Sequence, residues 1–385
     1  MANRNVIIGA VVTVIVAVVV IIGIVIWSKS SNKPPFALSH KEFVQLNEVP
    51  ITSATIWLQS VASSQATRNG QGFSLTEPVL SLGPIELPKA PHWKESTSSI
   101  YFVDVYQSVV HRFNPITKEH KTAKVGNEAL AFIIPLKNTT DKFIISYGQF
   151  LAILTWDGNS EKAFYRAIVS IDRDVYRANE GKVAPSGALF VGTHSPQSPN
   201  GDVQKEAAGL YAFYKDLRTS KKLLNNVTVS NGMGWSKDAK WFYYIDSLAY
   251  TVDSFSYDIE TDELTNRKMI IDFREANIPG VPDGMAVDSE DKLWVTSFNG
   301  HQVLRIDPVS GEIMEKINLD ALRITSAVFA GPQLSDFYIT SGDYQNTEEE
   351  TKKYPHSGYF YELKDFKVSG RPGVEFEIHP SFLND

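Results

Sequence analysis

Polar residues of several types lie at matching distances ahead of strand-like runs in the sequence. Lys89, Asn231 and Thr325 each lie 13 positions before the central aromatic residue of such a run, and Asn179 and Asp283 each lie 11 positions before one. The oxygen donors of Asn and Asp, without clustered histidines, suit a hard cation such as Ca²⁺ or Mg²⁺ rather than zinc. If the fold brings these positions together, they form a polar site able to hold an ion or a polar ligand.

The glycines after Asn231 and Asp283 leave a second interpretation open. Asn-Gly and Asp-Gly pairs commonly form tight turns, so each pair taken alone is explained as the turn that leads into a strand. Turn chemistry does not explain Lys89, nor the Arg177-x-Asn179 pair, because neither carries that dipeptide. The shared placement of these residues therefore favours a site over unrelated turns.

The elements that must position these residues recur along the chain. Short runs rich in aromatic and β-branched residues, bounded by Gly, Asp, Asn, Ser or Pro, are typical of strands. Six of them align on Phe102, Ile144, Phe190, Tyr244, Trp294 and Tyr338. Their separations of 42 to 54 residues match the hairpin-rich repeats of propeller blades. The sequence predicts an all-β fold, a six-bladed β-propeller over residues 46–385, whose equivalent positions meet around a central channel. A β-sandwich, the alternative, does not explain so long a repeat.

Histidines offer a further source of chemistry. His92 and His194 each lie near the end of a predicted strand, on the side expected to face the channel, whereas His301 follows an Asn-Gly pair in a predicted hairpin. A lone histidine more often has a structural than a catalytic role, and His194 is the candidate for contact with a substrate. The charged run 348–353 is predicted to be a solvated loop.

Composition excludes several classes of function. The chain has 385 residues, 43% hydrophobic and 21% charged, with no cysteine, so disulfide scaffolds and thiolate-based metal or nucleophilic sites are excluded. A formal net charge of −7 argues against nucleic acid as a partner, because phosphate binding needs a clustered basic surface. No zinc-protease, serine-hydrolase or phosphate-loop motif is present in the sequence.

An apolar segment precedes the predicted propeller. Residues 6–27 are uncharged and slightly exceed the roughly 20 residues needed to span a bilayer as a helix. We expect a short tail at residues 1–5, a single transmembrane anchor at residues 6–27 and a polar stalk at residues 28–45, where a Pro-Pro step prevents helix continuation. Basic residues flank the segment on both sides, so the charge rule gives no orientation.

Two glycosylation sequons bear on the side of the membrane where the propeller lies. Asn138 and Asn226 each start an Asn-x-Thr pattern, which is the acceptor for N-glycosylation in secreted domains. The sequence therefore predicts a single-pass membrane glycoprotein whose propeller is lumenal or extracellular.

Eight stretches of the sequence together carry a resemblance to a known family. They are PHW at Pro91, FIIPL at Phe132, AILTWDG at Ala152, RANEGKVAPSGALFVGT at Arg177, SNGMGWS at Ser230, YYIDS at Tyr243, PDGMAVDSEDKLWV at Pro282 and TSAVFAGP at Thr325. In these stretches, in this order, the chain resembles the regucalcin, gluconolactonase and luciferin-regenerating enzyme family, also called the senescence marker protein family. The resemblance implies a six-bladed propeller that binds one divalent cation in its channel and hydrolyses sugar lactones.

The resemblance also implies roles for individual residues. Asn231 and Asp283 match the Asn and Asp that hold the cation in the family, but Lys89 stands where the family has a Glu ligand. Arg177 and Asn179 match the substrate-contacting residues of an RxNDGK motif, in which this chain has Glu in place of the Asp. The charge offered to a cation falls from −2 to zero, which argues against tight binding of Ca²⁺ or Zn²⁺ in the usual position. We expect Lys89 to pair with Asp283 instead.

Two functions are consistent with this set of residues. In the first, the protein is a membrane-anchored lactone hydrolase that takes a small-molecule substrate into the channel, with Asp283 as general base and a divalent cation or Lys89 supplying positive charge to the oxyanion. Arg177, Asn179 and His194 then bind the substrate. In the second, the protein is a non-catalytic propeller that has lost its metal site and binds a ligand or partner.

Overall fold

The described residues lie C-terminal to the predicted anchor and stalk. The computed structural model describes residues 67–69, 72–75, 82–172, 176–198 and 201–383. The predicted tail, anchor and stalk, residues 1–45, lie outside these ranges. In the described ranges, no helix has both the length and the hydrophobicity needed to span a bilayer.

The chain from Pro88 onward folds into six antiparallel sheets, which are the blades of a β-propeller. A short hairpin precedes them, formed by β1 (Thr67–Asn69) and β2 (Gly72–Leu75). Blade 1 contains β3 (Pro88–Lys94), β4 (Ser99–Asp104), β5 (Val109–Phe113) and β6 (His120–Lys124). Blade 2 contains β7 (Ile133–Pro135), β8 (Lys142–Tyr147), β9 (Phe150–Thr155) and β10 (Phe164–Ser170). Blade 3 contains β11 (Arg177–Val183), β12 (Leu189–His194), β13 (Ala208–Phe213) and β14 (Ser220–Val227).

The second half of the ring repeats this pattern. Blade 4 contains β15 (Ser230–Trp235), β16 (Trp241–Asp246), β17 (Thr251–Asp258) and β18 (Glu263–Asp272). Blade 5 contains β19 (Val281–Val287), β20 (Leu293–Phe298), β21 (Gln302–Ile306) and β22 (Ile313–Leu319). Blade 6 contains β23 (Arg323–Ala330), β24 (Asp336–Gly342) and β25 (Phe360–Leu363). The predicted all-β, six-bladed propeller is confirmed.

Buried aromatic and aliphatic side chains fill the spaces between neighbouring blades. The second strand of each blade is almost wholly buried, because it is covered on both faces, which explains its continuous hydrophobic run. Trp294 of blade 5 packs on Phe337 of blade 6 with ring centroids 5.1 Å apart, and Phe190 of blade 3 packs edge-on against Trp235 of blade 4. These contacts hold the first strands of the blades, and the residues they carry, around the channel.

The first strands contain register shifts at the positions that the sequence singled out. In blades 1, 3, 4, 5 and 6 the pairing of the first strand with the second skips residues at Lys89/His92, Ala178/Glu180, Ser230/Met233, Pro282/Met285 and Ile324/Ser326. Such β-bulges redirect side chains. Asn231-Gly232 and Asp283-Gly284 lie inside strands, so the alternative interpretation of these pairs as turns is wrong.

The ring closes between blade 1 and blade 6 without a shared strand. The backbone of Ile85 and Glu86 bonds to Asp343, Tyr344 and Gly358 of blade 6 at 2.9–3.3 Å. The hairpin of β1 and β2 adds instead to blade 5, where β2 runs parallel to β22.

Two smaller segments lie outside the six sheets. The run Glu348–Lys353 forms a short α-helix, α1, with a capping box between Thr347 and Glu350, so the predicted loop is wrong. The cap supplies acceptors to the first N–H groups of the helix, which stabilises even a single turn or two. The C-terminal segment, residues 364–383, reaches from blade 6 to blades 2 and 3, where Phe376 bonds to Pro135 and His379 to Lys215.

Candidate functional site

Three buried residues from three blades meet near the first residues of β3, β15 and β19, a position that we call the channel mouth. Lys89 Nζ donates to Asn231 Oδ1 at 2.8 Å and to Asp283 Oδ1 at 2.9 Å. The side chains of Lys89 and Asp283 are only 6% and 5% exposed. A buried ammonium needs a carboxylate or other strong acceptors to offset its desolvation, and Asn231 and Asp283, at the bulges of β15 and β19, supply them. The expected ion pair between Lys89 and Asp283 is present.

A chain of hydrogen bonds fixes the two acceptors. Asn231 Nδ2 donates to Ser247 Oγ at 2.8 Å, and Ser247 Oγ donates to the carbonyl of Pro282 at 2.6 Å. Since Pro282 immediately precedes Asp283, these bonds connect blades 4 and 5 at the level of the ion pair. Ser247 had no signal in the sequence repeat, because it lies in a loop after β16.

Burial and charge act in opposite directions on the Asp283 carboxyl. Burial raises the pKa of Asp283 above its ordinary value, and the ammonium of Lys89 lowers it. Glu180 is a second buried carboxyl near Lys89. Burial raises the pKa of Glu180, while Lys89 and Lys182 oppose that shift. The channel therefore contains carboxyl groups whose proton affinity exceeds that of exposed ones.

Arg177 and Asn179 form a second polar group on blade 3. Arg177 Nη1 donates to Asn179 Oδ1 at 2.8 Å and to the carbonyl of Ala178 at 2.9 Å. Asn179 Nδ2 donates to the carbonyl of Ser230 at 2.7 Å, which connects blade 3 to blade 4 beside Asn231. Arg177 Nε is buried and has no hydrogen-bond partner among the described residues. The guanidinium thus retains a donor for a ligand.

Aromatic side chains lie beside Arg177. The guanidinium carbon of Arg177 is 5.7 Å from the centroid of the Tyr106 ring, which is within the range of a cation–π contact. Tyr106 stacks on Tyr344 with centroids 4.9 Å apart. Sequence reasoning missed both tyrosines, because they lie in loops outside the repeat.

Of the other candidate residues, His194 lies beside Arg177, with which it pairs across β11 and β12, whereas Thr325 and His92 make other contacts. His194 is buried, its Nδ1 lies 2.6 Å from the carbonyl of Ser195, and burial lowers its pKa to about 3. Thr325 Oγ1 donates to the carbonyl of Pro88 at 2.5 Å, so its hydroxyl joins two blades. His92 lines a cavity farther along the channel. The sequon residues Asn138 and Asn226 are exposed, and their glycosylation stays a prediction.

The residues at the channel mouth do not fit a divalent cation. The Lys89 ammonium lies between the two oxygens that the family resemblance assigns to the ion, and a cation there would meet a like charge. Within the described ranges, no group of three or more His, Cys, Asp or Glu side chains is arranged to hold a metal.

The fold and the site together define a six-bladed β-propeller with a buried ion pair between its first and fifth blades. The family model described as the SMP-30/Gluconolactonase/LRE-like region matches residues 87–343. The chain belongs to this family, and the family prediction from the sequence motifs is confirmed.

Individual relatives agree with this assignment. Regucalcin of Danio rerio is 35% identical over 292 residues, which are 76% of this chain and 95% of that protein. Regucalcin of Pongo abelii is 33% identical over 282 residues, 73% of this chain and 92% of that protein. The solved structure of a luciferin-regenerating enzyme superposes with a TM-score of 0.72 at 32% identity, covering 78% of this chain and 99% of that one. A calcium-binding regucalcin from Agrobacterium tumefaciens, 19% identical with a TM-score of 0.70, shares the fold.

Proposed function

We propose that the protein hydrolyses lactones at the channel mouth, with the ammonium of Lys89 in place of a metal ion. The observation that carries the proposal is the position of Lys89 Nζ between Asn231 and Asp283. An ammonium has three N–H groups, and these two contacts use two of them. The third is the donor for a substrate carbonyl oxygen. Family membership supports the reaction class.

The proposed reaction proceeds through groups already in place. A water oxygen attacks the lactone carbonyl carbon, Asp283 Oδ2 accepts the water proton, and the oxyanion is stabilised by an N–H of Lys89. The ring C–O bond then breaks, and the leaving alkoxide takes the proton from Asp283 to give a hydroxy acid. Arg177 and Asn179, with His194 beside them, bind the oxygens of the substrate.

A lactonase assay with a chelator tests this proposal. We expect the full chain to open sugar δ-lactones at a rate that EDTA does not change and that Ca²⁺ or Zn²⁺ does not raise. Lys89→Met and Asp283→Asn should each lower kcat by about 10²-fold or more. Lys240→Met, at an exposed lysine, is the matched control and should keep full activity. Lack of turnover for the whole lactone panel eliminates the hydrolase.

The alternative is a non-catalytic propeller that binds a ligand at the same mouth. It is favoured by the observation that Lys89 already engages both Asn231 and Asp283, which leaves fewer groups to act in a reaction. Its test is direct binding of a sugar lactone or hydroxy acid by calorimetry in the absence of turnover, with Arg177→Met expected to abolish the binding.

We also propose that residues 6–27 anchor the chain in a membrane with the propeller on the lumenal or extracellular side. The support is the uncharged apolar run and the exposure of both sequon asparagines. Expression in microsomes tests it: glycosidase treatment should increase gel mobility, and Asn138→Gln with Asn226→Gln should abolish the change. An unglycosylated chain digested by protease added outside intact microsomes contradicts it.

A further inference from the structure

Farther along the first strands, the channel widens into a cavity of about 320 Å³ that does not include the residues of the channel mouth. We call it the inner cavity. Its wall comes from His92, Lys182, Trp235 and Arg371, with apolar side chains such as Met233 and Phe329. Across the bulge, Lys89 pairs with Val103 and His92 with Tyr101, so at about 3.3 Å per residue the two lie about 7 Å apart along the strand. The volume is in the range of small-molecule sites.

Polar donors converge on the inner cavity. Lys182 Nζ donates to the carbonyls of Met233 at 3.0 Å and Met285 at 3.4 Å, and an ammonium has a third N–H. His92 Nε2 and the indole Nε1 of Trp235 are buried without a hydrogen-bond partner in the described part of the chain. An indole N–H can only donate, and leaving it buried and unpaired is costly.

The charge of the wall favours an anion. Its charged side chains are the cations Lys182, Lys237 and Arg371 and one carboxylate, Glu180. Burial lowers the pKa of Lys182 to about 8; Glu180 raises that pKa and Arg371 lowers it. Burial lowers the pKa of His92 to about 3, and its ring is therefore neutral near pH 7. Arg371 Nη2 lies 3.5 Å from Asp291 Oδ1 and Lys237 is exposed, so the positive charge available to a bound anion is chiefly that of Lys182.

The C-terminal segment closes one side of the inner cavity. Residues Arg371 to Val374 line it, and Arg371 Nη2 donates to the carbonyl of Trp235. A Cβ atom at Gly373 would lie only 3.0 Å from the His92 ring, so the segment approaches this closely because residue 373 is glycine. The segment covers the cavity with both a cation and an apolar surface.

We propose that the inner cavity is a second small-molecule site, which binds an organic carboxylate with an apolar body. The carboxylate accepts from Lys182 Nζ and the apolar body lies against Met233 and Phe329. Because this site shares no residue with the ion pair of the channel mouth, it goes beyond the lactonase proposal and stands or fails independently of it.

Calorimetry with benzoate and with uncharged benzamide tests the second site on the full chain. We expect benzoate to bind with one-to-one stoichiometry and about tenfold or more tighter than benzamide, since only benzoate pairs with the ammonium. Lys182→Met should weaken benzoate binding about tenfold or more. Lys89→Met, the matched change at the channel mouth, should leave it within about twofold.

Proton uptake by the unmodified chain gives a second readout that needs no variant. An anion beside Lys182 raises the pKa of that lysine. Benzoate binding at pH 8 should therefore take up about half a proton, and binding at pH 6 almost none, measured in two buffers of different ionisation enthalpy. The proposal is overturned by an absence of benzoate binding in the millimolar range, by equal affinity for benzamide, or by binding that Lys89→Met abolishes and Lys182→Met does not. The last result would place benzoate at the channel mouth.

Discussion

At the scale of single residues, Lys89 changes the electrostatics of a position that the family resemblance assigns to a cation. A divalent ion needs several anionic or carbonyl oxygens around it, whereas an ammonium is satisfied by two or three acceptors. Asn231 Oδ1 and Asp283 Oδ1 supply two at normal hydrogen-bond lengths. The Lys89 ammonium is part of the chain and cannot dissociate, so a cation occupies the channel mouth at any free metal concentration.

Reversal of the charge at residue 89 should create a metal site. Lys89→Glu changes the net charge of the three-residue set from zero to −2, and the two carboxylates repel each other until a cation binds. We expect a lower Tm than the parent in EDTA and a rise in Tm on addition of Ca²⁺. Lys89→Gln, which removes the charge without adding a carboxylate, is the control and should respond little to Ca²⁺. A Lys89→Glu protein with the same Tm in EDTA and in Ca²⁺ contradicts this.

The ion pair itself should behave as a buried pair. Lys89→Met leaves the Asp283 carboxylate without its counter-charge, and removing one partner of such a pair costs about 3–5 kcal/mol of unfolding free energy. The double variant Lys89→Met with Asp283→Asn should recover much of that loss, because no buried charge remains. Urea titrations of the parent, both single variants and the double variant measure this. Strictly additive losses would show that the two side chains do not interact energetically.

The sequence predicted part of this site and missed the rest for a physical reason. Lys89, Asn231 and Asp283 occupy repeat positions, so alignment of the repeats is enough to find them. Ser247 and Tyr106 lie in loops, where no repeat constrains the spacing, and only the folded chain brings them to the site.

At the scale of elements, the bulges in the first strands give side chains directions that a regularly pleated strand does not allow. In a regular strand, neighbouring side chains alternate between faces, and Asn231 and Gly232 would point in opposite directions at fixed register. The pairing of β15 with β16 skips residues between Ser230 and Met233, so the direction of the Asn231 side chain need not follow that alternation. A Cβ at Gly232 would lie 2.9 Å from the carbonyl oxygen of Asp283, so the glycine permits the close approach of β15 and β19. An Asn-Gly pair predicts special backbone geometry, but sequence alone does not separate a turn from a bulge.

A histidine pair on β5 and β6 of blade 1 should make the fold sensitive to acid. His111 on β5 is buried, stacks on Phe102 and shares a hydrogen bond with His120 at 3.0 Å. Burial lowers the pKa of His111 to about 3, against an ordinary value of about 6.5 in the unfolded chain. The unfolded state therefore binds the proton more tightly, and the stabilisation is complete above pH 6.5 and lost as the pH falls towards 3.

His111→Phe should remove this dependence while keeping the ring stack. Between pH 6 and pH 4, we expect the loss of unfolding free energy with falling pH to be smaller in the variant by about 1.4 kcal/mol per pH unit. Denaturant titrations at several pH values measure the two slopes. His301→Phe, at a histidine with a smaller downward shift of its pKa, is the comparison. Identical slopes for the parent and His111→Phe would show that His111 does not titrate in this range.

At the scale of the whole molecule, the number of blades followed from the sequence and the closure of the ring did not. The aromatic-rich second strands recur because every blade must bury one, so their period counts the blades. Closure combines buried packing between blades 1 and 6, such as Phe102 on Phe360, with backbone hydrogen bonds of Ile85 and Glu86 to the loops of blade 6, and those bonds leave no mark on composition or periodicity. For the same reason, the addition of the β1–β2 hairpin to blade 5 was not predictable.

Because the ring closes through blades 1 and 6 alone, we expect the propeller to fold without residues 1–80. A variant that lacks residues 1–80 keeps all six blades and the closing contacts of Ile85 and Glu86. It loses the parallel pairing of β2 with β22, and at about 0.5–1.5 kcal/mol for each lost hydrogen bond its unfolding free energy should fall by a few kcal/mol. Circular dichroism melting should show one cooperative transition at a lower Tm, and gel filtration a compact monomer. The matched change is deletion of residues 1–87, which also removes the backbone hydrogen bonds of Ile85 and Glu86 and should lower the Tm further. If the two deletions unfold alike, closure does not depend on Ile85 and Glu86.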